Sequence, residues 1–356
     1  MYKRISVLFV VSALCVFLFT ACGQEKQQPV DLQVSTTETE PTKTPETSPE
    51  PSPESTPEPA SAIEDGFTVP EEGVRPIAVM IDNEGSKVLP QGGIDKAQIV
   101  YEAIVEGGLT RLMAVFWGTD PELIGPVRSS RHYFLDFSME YDAMYAHVGW
   151  STYAQNDITK LKINNINGLY LGTDVFWDLT NDRKNWQDTY TSMEKLEAYA
   201  DKKYKTTTDT KYPFTYNQTE VVPTSGQNAN SVTFKYPSMT SEYKYDSEAG
   251  LYKRYRYDKP HMERVSGEQL TAKNIIVRYT NSYTIKGDKY GRQEMDTTGS
   301  GDGYYITGGK AIKIKWSKAS RGAQTKYTDE AGTALTLNRG QTWIQVVPLS
   351  SKVTIE

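Results

Sequence analysis

The stretch Ile124-Gly125-Pro126-Val127-Arg128-Ser129-Ser130-Arg131 concentrates groups that bind anions. A Gly-Pro turn delivers two guanidiniums and two hydroxyls to the start of a segment predicted to be helical, which carries Phe134, Phe137 and Tyr141 and takes Ser129 or Ser130 as its cap. Forked donors, hydroxyls and the free N–H groups of a helix start then lie together. Such donors suit a carboxylate or a phosphate, each charge-assisted bond contributing roughly 1.5 to 3 kcal/mol in a sheltered site. Arg128, Ser129, Ser130 and Arg131 are therefore the first binding candidates, joined by Arg111 and His147. The same arginines have internal partners available in Glu102 and Glu106, and such pairing would make them structural.

Glu102 and Glu106 stand four apart before Gly107-Gly108. Were that segment helical, they would share one face, and two neighbouring carboxylates can divide the roles of acid and base, as glycosidases require. His147 falls at the end of a predicted strand, where α/β sheets place ligand sites, but with Ser151 alone it forms no triad. The chain has three histidines, and no H-E-x-x-H, G-x-S-x-G, P-loop or S-x-x-K arrangement with its partners is present. No metal site and no cofactor is expected. Gly299-Ser300-Gly301-Asp302-Gly303 lacks a following helix or lysine and is read as a turn.

Positioning these residues requires a sheet. Ile77–Ile81, Leu112–Trp117 and Ala143–Val148 read as buried strands, while Thr152–Leu161 and Ser192–Lys203 read as helices. Alternation of this kind predicts an α/β domain over residues 70–210, a mixed sheet with flanking helices. Beyond about Tyr212 the period shortens to two in Ser231–Tyr236, Asn274–Tyr279, Ala311–Trp316 and Thr342–Val347, with turn residues at Glu248–Gly250, Gly308-Gly309, Glu330–Gly332 and Arg339-Gly340. Residues 211–356 are thus expected to be mainly β. Tyr243, Tyr245, Tyr252, Tyr255 and Tyr257 suit either cross-strand pairing or a sugar-stacking platform.

The net charge of −6 is unevenly distributed. Residues 23–66 carry ten acids and two lysines, whereas residues 67–356 carry 35 bases and 35 acids, and a neutral body argues against nucleic-acid binding. Residues 1–22 combine Lys3 and Arg4 with an uncharged run from Ile5 to Ala21, a secretory pattern. The run ends in Leu18-Phe19-Thr20-Ala21-Cys22-Gly23, which resembles the lipobox of bacterial lipoproteins and implies lipidation of Cys22. With Cys15 removed in the leader, no disulfide or free thiol is expected in the mature chain. Residues 23–69, rich in Pro, Glu, Ser and Thr, hold too little apolar surface to fold and read as a disordered tether.

The ordered series Arg75–Asn83, Ile99–Glu102, Glu106–Arg111, Ile124–Arg131 and His147–Gly149, with Trp316–Lys318 and Asn338–Ile344, resembles the YerB-type lipoproteins of Gram-positive bacteria. That resemblance implies two paired domains of unknown function behind a lipid anchor, and no activity. The chain departs from the pattern at Arg183–Ser192, where a His and a Pro are missing, and at Trp150, which replaces a Gly. The expectation is an extracytoplasmic protein anchored through lipidated Cys22 to the outer face of the cytoplasmic membrane. It would bind peptidoglycan, teichoic acid or an envelope protein around Glu102, Glu106, Arg111, Arg128, Arg131 and His147. The absence of a complete catalytic constellation leans against an enzyme. The rival reading is a cell-wall hydrolase using Glu102 or Glu106 with His147.

Overall fold

The computed structural model describes residues 66–180, 182, 185 and 187–356. Cys22, most of the tether, and Arg183, Lys184 and Trp186 of the departing stretch lie outside the described residues. Three apolar runs become the strands β1 (Ile77–Asp82), β3 (Thr110–Phe116) and β4 (Met144–His147), each buried along its whole length. β2 (Ile99–Ile104) pairs with β3, and β5 (Asn165–Asn167) pairs with β4 as an edge strand. The helices are α1 (His132–Met139), α2 (Thr152–Leu161) and α3 (Met193–Lys203). Ser151 and Ser192 cap α2 and α3, accepting from the backbone N–H groups of Ala154 and Lys195. At α1 the expected serine cap is replaced by Arg131, whose side chain makes no cap bond, because Ser130 is buried beneath Tyr145.

The later strands are β6 (Ser231–Tyr236), β7 (Met239–Asp246), β8 (Leu251–Arg256), β9 (Asn274–Thr280), β10 (Gly299–Thr307), β11 (Lys310–Lys318), β12 (Lys326–Asp329), β13 (Thr342–Pro348) and β14 (Lys352–Ile355). The main sheet runs β12-β11-β10-β9-β13-β2-β3-β1-β4-β5. An α/β first part with a mixed sheet is thus followed by a mainly β part, as the periodicity predicts. β13 lies parallel to both β9 and β2, so strands from both parts share one hydrogen-bonded sheet. From residue 66 onward, the described residues fall in one compact unit.

Alternation along the strands assigns the two faces. Tyr101 and Arg111 point toward α1, where Tyr101 stacks on Phe137 at 4.9 Å. Glu102, Thr110 and Gln345 point the other way, onto the second sheet of β14-β6-β7-β8, where Gln345 donates to Tyr243. Both faces are covered, which accounts for strands apolar on both sides. α1 buries seven of its eight residues, and full burial of Phe134 and Phe137 stabilises the fold by roughly 1.5–3 kcal/mol each. Asp136 pairs with Arg321 at 2.7 Å and Glu140 with Lys318 at 3.0 Å, fastening the helix to residues that follow β11 and end it.

Gly301 and Gly303 lie within β10 rather than in the expected turn. A Cβ at Gly303 would stand 2.1 Å from the Val277 carbonyl oxygen, and one at Gly301 would stand 2.7 Å from the Trp316 indole nitrogen. These glycines admit close approach. Of the tyrosines, Tyr243 and Tyr252 are fully buried, and Tyr252 meets Tyr245 across the strands at 5.0 Å. Tyr245 and Tyr252 form a cross-strand pair, whereas Tyr243 lies opposite Arg254.

Candidate functional site

β2 ends at Ile104, and Glu106–Gly108 form a single tight turn into β3. The segment carrying Glu102 and Glu106 is therefore a strand and a turn, which corrects the helical reading. Gly108 has a left-handed backbone with φ of 70°, and a Cβ there would stand 2.5 Å from Pro237, so glycine is required where the turn touches the second sheet. The extended backbone turns Glu102 inward and leaves Glu106 at the rim.

Glu102 is fully buried and fully engaged. It accepts from Thr110 Oγ1 at 2.7 Å, Ser241 Oγ at 3.1 Å and Asn83 Nδ2 at 3.2 Å, and pairs with Arg254 at 2.8 Å. Burial alone would raise its carboxyl pKa. The Arg254 and Arg256 charges and the Thr110 hydroxyl outweigh burial and hold it below the ordinary value. Arg254 Nε donates to His261 Nδ1 at 3.0 Å, and His261 Nε2 donates in turn to Gln91 Oε1 at 2.5 Å. Arg256 donates to both oxygens of Asn83. This network spans the two sheets.

On the opposite face, Arg111, Arg128 and Arg131 line one cleft of about 440 Å³ with Asp82, Glu84, Glu106, Tyr290 and Arg292. Arg131 makes a bidentate pair with Glu106, with bonds of 2.6 and 2.9 Å. Arg128 pairs with Asp82 at 2.8 Å and approaches Glu84 at 3.6 Å. Arg111 is only 4% exposed and donates to the Ser129 carbonyl at 2.5 Å. Among the described residues it has no carboxylate within ion-pair distance, and its Nε has no hydrogen-bond partner. Burial lowers its pKa to about 10; repulsion from Arg131 and Arg128 adds to the shift, and Asp82 and Glu106 oppose it.

The other candidates lie beside the cleft. Ser130 is buried, its hydroxyl accepting from Tyr145, and Ser129 contributes its carbonyl. His147 is fully buried between Tyr145 and Trp150, and its Nδ1–H donates to the Gly149 carbonyl at 2.7 Å. That bond fixes the tautomer, and burial lowers the pKa to about 4, so the ring is neutral at pH 7. Glu102 and His147 are absent from the cleft wall, so the rival constellation of Glu102 or Glu106 with His147 is not assembled on one surface. Among the described residues no group of three or more His, Cys, Asp or Glu is placed to hold a metal ion.

Asp82, Glu84 and Arg292 complete the cleft but are absent from the sequence candidates. Asp82 carried a signal, an acid closing an apolar strand on the side chain face of Arg111, its register partner. Arg292 arrives from a distant loop without one.

Comparison with known proteins fits this architecture. Residues 66–208 match the model for the N-terminal domain of the protein of unknown function DUF3048, and residues 231–344 match its C-terminal domain. The chain belongs to the DUF3048 family. It is 31% identical over 277 residues to the Bacillus subtilis (strain 168) protein named "Putative lipoprotein YerB", covering 77% of this chain and 81% of that one. The crystal structure of YerB from Bacillus subtilis superposes with a TM-score of 0.69 at 29% identity, covering 79% of this chain and 94% of the other. As in the sequence reading, the family supplies an architecture and no activity. Within the DUF3048 arrangement, the Glu102 network joins residues of the two matched domains, whereas the arginine cleft is built chiefly from the first. Among the described residues no helix is long and apolar enough to cross a membrane.

Proposed function

We propose that this protein is a lipid-anchored, extracytoplasmic binding module that holds an anionic group of a cell-wall polymer in the cleft of Arg111, Arg128 and Arg131. One observation carries the reading: Arg111 is buried in the cleft wall beside two other arginines and, among the described residues, has no carboxylate within ion-pair distance. A buried charge without a partner is costly, and an incoming anion would offset that cost. The address rests on the lipobox-like Leu18–Cys22, with Cys22 as the acylated residue, and on the name of the Bacillus relative. Binding is favoured over catalysis because the cleft carboxylates serve arginines and the remaining acid and histidine candidates lie elsewhere.

The test is sedimentation of the full chain, extracted in mild detergent, with isolated cell-wall sacculi before and after acid removal of teichoic acid. Wild type is expected to co-sediment more strongly as salt falls, since exposed charge contacts strengthen on weaker screening. Arg111→Ala is expected to lose about tenfold or more of that binding with an unchanged melting curve. Equal retention of both proteins would remove the cleft from function.

A further inference from the structure

The anion-binding reading leaves one feature of the cleft unexplained: three carboxylates stand among its four arginines. Their engagement is unequal. Both Glu106 oxygens are taken by Arg131. Asp82 accepts from the Glu84 backbone N–H at 3.0 Å and from Gln187 at 3.4 Å, besides pairing with Arg128. Arg292 is paired with Asp288 at 3.0 Å. Two groups of opposite sign remain under-matched. Arg111 has no ion-pair partner among the described residues, and Glu84, with its side chain 42% exposed, has only the 3.6 Å approach to Arg128.

From this imbalance we infer that the ligand is a small zwitterion bearing a carboxylate and an ammonium, as an amino acid or a peptide terminus does, with the carboxylate on Arg111 and the ammonium on Glu84. This deepens the anion-binding reading and rests on it. A guanidinium edge matches a planar carboxylate by parallel N–H bonds, while a phosphate dianion would meet three fixed negative charges in the same wall. An ammonium meets those charges favourably. The cleft volume of about 440 Å³ suits a group of one or two residues rather than a bulky polymer segment. Recognition would then fall on the peptide portion of the wall.

Calorimetric titration of the full chain tests this with four probes: alanylalanine in its D and L forms, its N-acetyl derivative, and inorganic phosphate. Alanylalanine of one hand is expected to bind about tenfold or more tightly than the N-acetyl form, which keeps the carboxylate and loses the ammonium. Glu84→Gln is expected to erase that difference while leaving the N-acetyl affinity in place, and Arg111→Ala to abolish both. Equal affinity for the dipeptide and its N-acetyl form would overturn the zwitterion and leave the anion reading standing. Tighter binding of phosphate would also overturn it, pointing to a phosphate polymer. Binding of none of the probes, together with sacculus retention that is indifferent to Arg111→Ala, would remove both readings.

Discussion

Two arginine–carboxylate clusters lie back to back across strands β2 and β3, and they differ in how completely their charges are matched. On the face toward the second sheet, Glu102 receives three neutral donors and one guanidinium, and Arg254 reaches Glu102, Tyr243 and His261. On the helix face, Arg111 has, among the described residues, a single carbonyl and no carboxylate within ion-pair distance. Buried charge of the first kind fixes how the two parts of the chain meet. Charge of the second kind, left incompletely matched, is the pattern expected where a ligand completes the site. Identical residue types thus differ in environment according to whether the protein itself supplies every partner, and the proposed recognition site is the one left incomplete.

The contrast is broken most directly at Glu102. Glu102→Ala leaves Arg254 buried without its counter-ion and should cost about 3–5 kcal/mol in urea unfolding, and pairing it with Arg254→Met should recover part of that loss. A cost below about 1 kcal/mol would mean that the network is not the structural member of the pair.

Acid provides the second comparison, because His261 belongs to the Glu102 network and buried His147 lies beside the cleft. The His147 pKa is lowered to about 4 by burial, below its unfolded value, so the unfolded chain takes up the proton first. Its contribution is complete above pH ~6.5 and is lost progressively as pH falls toward ~4, by about 3 kcal/mol in all. Burial first, and then the Arg254 and Arg256 charges, push His261 well below its usual value and act in the same direction. Urea midpoints from pH 7 to 4 should fall steeply in wild type and less steeply in His147→Gln. Parallel slopes would show that His147 does not titrate with unfolding.

The smallest effect on stability is expected at Arg111. Arg111→Met should leave stability unchanged or raise it by about 1 kcal/mol, since it removes a buried charge beside two like charges. A loss of about 2 kcal/mol or more would make Arg111 as structural as Arg254 and erase the distinction between the faces.

Much of the architecture was readable from local pattern. The strand Ser231–Tyr236 has the bounds its alternation predicts, and the helices at Thr152 and Met193 begin after serines that cap them. The series of motifs from Arg75 to Ile344 pointed to the family. Other readings failed where a distant neighbour decides the outcome. Nothing near Gly301 signals that the Trp316 ring lies against it, and nothing near Ser130 signals the Tyr145 hydroxyl that occupies it.

The site divides in the same way. Sequence alone selected Arg111, Arg128 and Arg131 and the alternative pair Glu102 and Glu106, because guanidiniums and carboxylates declare their chemistry by type. Which of them would be satisfied was decided only by tertiary structure. The partner of Glu102 lies 152 residues away at Arg254, while Glu106 finds Arg131 within 25. A period of two sends Glu102 and Arg111 to opposite faces once β2 and β3 pair, and the second sheet then neutralises one face while Arg111 on the other lines a cleft. Charge is a property of the residue, whereas its compensation depends on strand register and on what packs above it, which no local stretch of sequence encodes.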